Sequence, residues 1–307
     1  MRKFSRREFL ELSGKFAAMM GLGSAFIPGL TQALEQLTTK TRPVLWLQGQ
    51  SCSGCSVSLL NSEDPGPVSL LTEYMSLLFH QTLSAATGHV AMDVVKKAIE
   101  KGGYLLVVEG SIPARMPAAC MMGRESIVDL VKAAAEKSTA IMSVGTCASF
   151  GGIPAAENNP TGAVSVPEFL KGQNINKPVV ALPGCPAHPD WLVGTLAYVL
   201  KFGIPPLDDM KRPEMFYSKL IHDRCPRFPE YEKENFAKSF SDDGCLFKLG
   251  CLGISTHADC TLRYWNSRIN SCIPAGGPCI GCASENFARV TSFPFYRKDE
   301  QNLLEEV

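Results

Sequence analysis

A chain of 307 residues, 45% of them hydrophobic and 20% charged, is long enough for a sizeable core and two domains. Thirty basic residues balance thirty acidic ones, so the net charge is zero and neither nucleic acid nor an anionic membrane surface is an expected partner. Beyond the N-terminal segment no apolar run reaches the roughly 18 residues of a membrane span, so the mature chain is expected to lack a transmembrane anchor.

Residues 1–35 read as an export address. Ser5-Arg6-Arg7-Glu8-Phe9-Leu10 is a twin-arginine pattern, a weakly apolar stretch runs from Phe16 to Leu30, and small residues near Ala33 offer a cleavage site. An amphipathic helix with two adjacent arginines is the plainer reading. The ordered pair, Phe-Leu and apolar run favour the address. The twin-arginine route carries proteins that fold before export, which suits a protein loaded with a cofactor in the cytoplasm.

Residues 42–205 alternate short apolar runs with helical patterns. Strands are predicted at Val44–Leu47, Tyr104–Val108, Ala140–Val144 and Val179–Leu182. Helices are predicted at Ser56–Asn61, Ser69–Leu78, His89–Lys101, Ser126–Lys137 and Pro189–Lys201. This alternation predicts an α/β fold, a flavodoxin-like doubly wound parallel sheet. Cys52 and Cys55 then follow the first strand, Glu109-Gly110 the second, Cys147 the third and Cys185 the fourth. Ligands of open α/β sheets gather at the carboxyl ends of strands, so four distant cysteines are expected to converge on one edge. Gly54, Gly145 and Gly184 beside them let backbone approach a bulky group. Glu109 reads either as a polar strand end or as a residue with a proton or partner role.

Residues 206–300 are dense in Pro, Gly and Cys and read as a small, irregular, cysteine-rich domain that depends on metal for stability. Two sets of four donors lie in it. His222, Cys225, Cys245 and Cys251 form one; Cys260, Cys272, Cys279 and Cys282 form the other. With Cys52, Cys55, Cys147 and Cys185 they make three sets, each sufficient to close a tetrahedral metal or iron–sulfur site. Of the twelve cysteines only Cys120 is left over. Disulfides are the default in an exported protein, yet a chain this long does not need staples and a disulfide protein need not fold before crossing. Zinc sites favour compact CxxC pairs, and only two such pairs occur, far apart. Iron–sulfur clusters are the favoured cofactors. Trp265 and Phe287 read equally as an apolar jacket for a cluster or as core. No Cys-x-x-Cys-His occurs, so covalent haem is not encoded.

These motifs together resemble the small subunit of periplasmic nickel–iron hydrogenases. The carriers are Trp46-Leu47-Gln48-Gly49-Gln50-Ser51-Cys52-Ser53-Gly54-Cys55-Ser56, Glu109-Gly110-Ser111-Ile112-Pro113, Gly145-Thr146-Cys147-Ala148, Pro183-Gly184-Cys185-Pro186, His222-Asp223 with Cys225, Cys245 through Cys251, and Pro278-Cys279-Ile280-Gly281-Cys282. The resemblance implies an electron-relay chain. Cys52, Cys55, Cys147 and Cys185 would hold a proximal 4Fe–4S cluster, and His222, Cys225, Cys245 and Cys251 a distal one near the surface. Cys260, Cys272, Cys279 and Cys282 would hold a medial cluster between them. It further implies a large-subunit partner that bears the nickel–iron site, with no catalytic residue on this chain. The expected location is the periplasm, with a multihaem cytochrome c as acceptor. The common medial pattern has proline near Cys272 and a 3Fe–4S cluster; a cysteine there resembles the nickel–iron–selenium branch, with a medial 4Fe–4S cluster. Oxygen-tolerant relatives carry two extra proximal cysteines where this chain has Gly54 and Gly152, which implies the standard type. Cys120 is expected to be a buried structural thiol. The competing readings are a complex I-type iron–sulfur subunit and a secreted binding protein stabilised by disulfides or zinc.

Overall fold

The computed structural model describes residues 42–288 except 157 and 241. The twin-arginine segment therefore lies outside the described residues. The chain runs β1 (Arg42–Gln48), α1 (Gly54–Leu60), β2 (Met75–Phe79), α2 (Gly88–Lys101), β3 (Leu105–Glu109), α3 (Ile127–Lys137), β4 (Ala140–Val144), α4 (Gly145–Phe150), α5 (Val166–Gly172), β5 (Val179–Leu182) and α6 (Pro189–Phe202). The five strands form one sheet in the order β2-β1-β3-β4-β5, and every pairing is parallel. This is an α/β doubly wound sheet.

One expectation is corrected. The helix predicted over Ser69–Leu78 ends at Tyr74, after a short π-helical stretch from Leu70, and Met75–Phe79 is the edge strand β2. Met-Ser-Leu-Leu-Phe is too short an apolar run for periodicity to separate strand from helix. Pairing with β1 from Arg42↔Met75 to Leu45↔Phe79 decides it.

Both sheet faces are covered, as parallel sheets require. Val44, Trp46, Val107, Met142 and Leu182 pack with Leu59 of α1 and with Trp191, Leu192 and Leu196 of α6. The alternate residues Leu45, Leu47, Leu106, Val108 and Ile141 pack on the other face with Val95 of α2, Val131 of α3 and Phe169 of α5. Helix starts are capped by side chains: Ser126 Oγ accepts from the Asp129 amide at 3.1 Å and Ser165 Oγ from the Glu168 amide at 3.2 Å.

After α6 the alternation stops. Among the described residues only short helical turns follow, including Glu214–Tyr217, Phe228–Glu232 and Cys260–Arg263. This segment packs on the α1 and α6 face, where Phe216, Tyr217, Ile221, Ala258, Ile273 and Ala283 join the same core cluster. A buried polar seam fixes it there. Arg263 donates to Asp259 (Nη2 to Oδ2, 2.6 Å) and to Asp190 at the start of α6 (Nη1 to Oδ2, 3.2 Å). The Trp191 indole donates to Asp259 Oδ1 at 2.7 Å.

Candidate metal centres

The strand register carries the four early cysteines to one edge. Gln48 lies opposite Glu109, Glu109 opposite Val144, and Val144 opposite Leu182, so β1, β3, β4 and β5 end level. Cys52 and Cys55, Cys147 and Cys185 leave the sheet just beyond these ends. Their thiols act on one another. Burial pushes Cys55 well up, with Glu109, Cys147 and Cys185 pushing the same way. Burial also raises Cys147, helped by the charges of Cys52 and Glu109. Cys185 is pushed up to about 11 by burial, then by Cys147 and Cys52. The four thiols thus lie near enough for their charges to act on one another.

Backbone crowds the sheet edge. Gly145 has φ 83°, and a Cβ there would stand 2.6 Å from Cys55 Sγ. Gly152 has φ 53°, and its Cβ would stand 2.8 Å from the Cys147 backbone and 2.9 Å from Cys147 Sγ. A cysteine at 152 would collide with Cys147.

The second set lines one pocket. His222, Cys225, Cys245 and Cys251 share it with Arg227, Leu246, Phe247 and Ile273. The His222 imidazole is held edge-on by Tyr231 at 4.5 Å and Phe228 at 5.0 Å between ring centroids. Cys251 is raised by burial, and the charges of Cys225 and Cys245 add to it.

In the third set, burial raises Cys260 strongly, with Cys282 and Cys279 next. Cys282 is pushed up to about 11 by burial, and the charges of Cys272 and Cys185 act in the same direction. Cys272 is exposed, and of this set Cys282 is the thiol on which its charge acts. Trp265 is half-buried, hydrogen-bonds the Cys260 thiol and stacks edge-on to His188 at 4.5 Å. Phe287 is buried. Cys120 is raised by burial and packs against the sheet face away from the donor sets.

The three sets adjoin in a definite order. Thr146, beside Cys147, donates its hydroxyl to the Cys282 carbonyl. Its Oγ1 also accepts from the Gly184 amide at 2.8 Å. The Cys282 thiol meets the backbone of Cys185. At the other end the Cys279 amide donates to Cys251 Sγ at 3.3 Å, and the Leu252 amide donates to the Cys279 carbonyl at 2.7 Å. The Cys260–Cys282 group therefore sits between the sheet-edge set and the His222 set.

The donor chemistry fits iron–sulfur clusters. Ligand thiols must lose their protons, and buried thiols that repel one another as anions do so only around a cationic centre. All twelve cysteines are free. Among the described residues no three donors converge on a point that one metal ion would fill.

Motif reasoning missed Thr146 as a link between sets, and His80 and Trp46 as supports. Their signal was weak, because a polar residue in a buried strand or loop announces no particular partner.

Comparison with known proteins bears on the same residues. Residues 52–199 match the family model of the NADH ubiquinone oxidoreductase 20 kDa subunit, which places the sheet and its cysteine edge among oxidoreductase subunits. Residues 217–296 match the family model of the C-terminal part of the NiFe/NiFeSe hydrogenase small subunit. The small subunit of the periplasmic [NiFeSe] hydrogenase of Desulfomicrobium baculatum is 41% identical over 312 residues, covering 95% of this chain and 98% of its own length. The small chain of hydrogenase-2 of Escherichia coli K12 is 41% identical over 292 residues, covering 92% of this chain and 77% of its own. In the recombinant [NiFeSe] hydrogenase structure from Desulfovibrio vulgaris Hildenborough, a chain 41% identical superposes with a TM-score of 0.78, over 82% of this chain and 96% of that one. The chain belongs to the small subunits of the nickel–iron and nickel–iron–selenium hydrogenases. The second half of the chain disfavours the complex I reading, which accounts for the first half alone.

Proposed function

We propose that this chain is the electron relay of a hydrogen-converting enzyme and that its three donor sets hold three iron–sulfur clusters. The observation that carries the reading is the contact order of the sets: Cys185 to Cys282, then Cys279 to Cys251. Cys52, Cys55, Cys147 and Cys185 hold the proximal cluster. Cys260, Cys272, Cys279 and Cys282 hold the medial one, and His222, Cys225, Cys245 and Cys251 the distal one. Such clusters supply one-electron transfer when bound. The residues of this chain fix their spacing, exclude water and set the local charge.

No general base or nucleophile is assigned to this chain. The large subunit, with the nickel–iron site, docks on the Cys52 side, a reading supported by the exposure of Cys52 and of Val57 and Leu60 on α1. His222, at the opposite end of the relay, faces the electron acceptor, a multihaem cytochrome c. Two relatives are named periplasmic, and residues 1–35 carry the twin-arginine pattern, so we place the enzyme in the periplasm. Among the described residues no helix is long and apolar enough to cross a membrane.

Purification of the heterodimer with assays of iron, acid-labile sulfide and nickel tests the reading. Iron and sulfide are expected in this chain and nickel in its partner, with no hydrogen turnover by this chain alone. An iron-free, colourless chain overturns it.

A further inference from the structure

Glu109 closes β3 directly beneath the Cys52–Cys55 loop and is 2% exposed. Both carboxylate oxygens are surrounded by donors. Oε1 accepts from the amides of Cys55 at 3.1 Å and Ser56 at 3.4 Å, and from the Ser51 hydroxyl at 3.0 Å. Oε2 accepts from the Trp46 indole at 3.3 Å, the Gln48 side-chain amide at 3.2 Å and the Ser56 hydroxyl. His80 orients this last contact. Its Nδ1 accepts from the Thr82 amide at 3.0 Å, so its proton sits on Nε2 and is donated to Ser56 Oγ, 3.0 Å away. The Ser56 proton is thereby aimed at Glu109. Every one of these partners is a neutral donor, so no cation balances the carboxylate among its hydrogen bonds.

A satisfied carboxylate could be no more than a staple for the loop. Two features give it more to do. Its carboxylate sits one hydrogen bond from the backbone of Cys55, 3.1 Å from the amide. It also engages the amides of Cys55 and Ser56, and amides of a cluster loop are ordinary donors to cluster sulfurs. Hydrogen bonds to sulfur and nearby net charge are two principal levers on cluster potential. Both act here in one direction. The negative charge disfavours adding an electron, and amides committed to a carboxylate are withheld from sulfur.

We propose that Glu109 is the positioning residue of the sheet-edge site and the charge that keeps that site's reduction potential low. The inference rests on the reading that Cys52, Cys55, Cys147 and Cys185 hold a cluster. Electron paramagnetic resonance during a redox titration of the purified heterodimer tests it. Glu109→Gln leaves an oxygen for the Cys55, Ser56 and Ser51 donors and removes the charge. An upward shift of the proximal midpoint potential with unchanged iron content is expected. A purely structural role would alter iron content or signal shape and leave the potential in place, so an unchanged potential overturns the proposal. Should Glu109→Gln fail to load iron, Trp46→Phe decides. It removes one compensating donor from the carboxylate without touching a cysteine, and a downward shift is expected; no shift overturns the proposal. Absence of any iron–sulfur signal in the unmutated heterodimer would overturn the relay reading itself, which separates the two failures.

Discussion

The Cys279 amide donates a hydrogen bond to Cys251 Sγ across 3.3 Å, joining the Cys260–Cys282 set to the His222 set. Along the chain the sheet-edge set comes first, the His222 set second and the Cys260–Cys282 set last. In space the last set is the middle one. The return is made by Leu252, whose amide donates to the Cys279 carbonyl at 2.7 Å, and by Thr146, which ties Cys282 to the β4 edge. The medial set is therefore held by contacts from both its neighbours.

The seam between the sheet and the cysteine-rich segment rests on Arg263. Its side chain is 11% exposed, against 7% for Asp259 and 19% for Asp190. Arg263→Met leaves a buried carboxylate beside Cys260 with no cation, a loss of about 3–5 kcal/mol. Cluster absorbance followed on heating should bleach at a clearly lower temperature in the variant. A bleaching curve superimposable on the unmutated enzyme would show that the seam does not support the medial site.

Gly145→Ala tests the crowding at the sheet edge. The position has φ 83°, and the added methyl would lie 2.6 Å from Cys55 Sγ, so backbone strain and displacement of a ligand act together. The expected result is a heterodimer short of the iron of one cluster, with the other two signals retained. Full iron content would mean that Cys55 does not point where it is placed here.

Export is tested at the twin arginines. Arg6→Lys with Arg7→Lys should leave the precursor in the cytoplasm, together with the large subunit if that partner rides on this leader. Cell fractionation and immunoblotting read the outcome. Normal periplasmic activity in the double variant would remove the twin-arginine assignment.

The sheet edge was legible because strand period and the position of Cys52, Cys55, Cys147 and Cys185 after their strands are both local facts of sequence. The edge strand β2 was not, since Met75–Phe79 continues an apolar run that also suits a helix. Helix α5 was missed although Ser165-Val-Pro-Glu168 is a capping signature before an apolar run. The packing of one set on another is a different matter. Cys279 finds Cys251 through tertiary folding, and no spacing rule announces it. The donors around Glu109 were hidden for the same reason: Trp46, Gln48, Ser51 and Ser56 each read as ordinary strand or loop residues until they meet one carboxylate.

Cys272 decides the character of the middle site. It is exposed, and its charge acts on Cys282, which also meets the Cys185 backbone. As a fourth ligand it completes a 4Fe–4S cluster; without it the set has three thiols and suits a 3Fe–4S cluster. Cluster type and charge set potential within a wide range. A four-iron centre here is expected at lower potential than a three-iron one, which levels the relay and favours hydrogen evolution as well as uptake. Electron paramagnetic resonance of the oxidised heterodimer separates the cases. A 4Fe–4S medial cluster is silent in that state, whereas the odd-electron core of an oxidised 3Fe–4S cluster gives a strong signal. The unmutated enzyme should lack that signal and Cys272→Pro should gain it, with iron content falling by one atom per heterodimer. A stoichiometric three-iron signal in the intact, unmutated enzyme would show that Cys272 is a nearby free thiol.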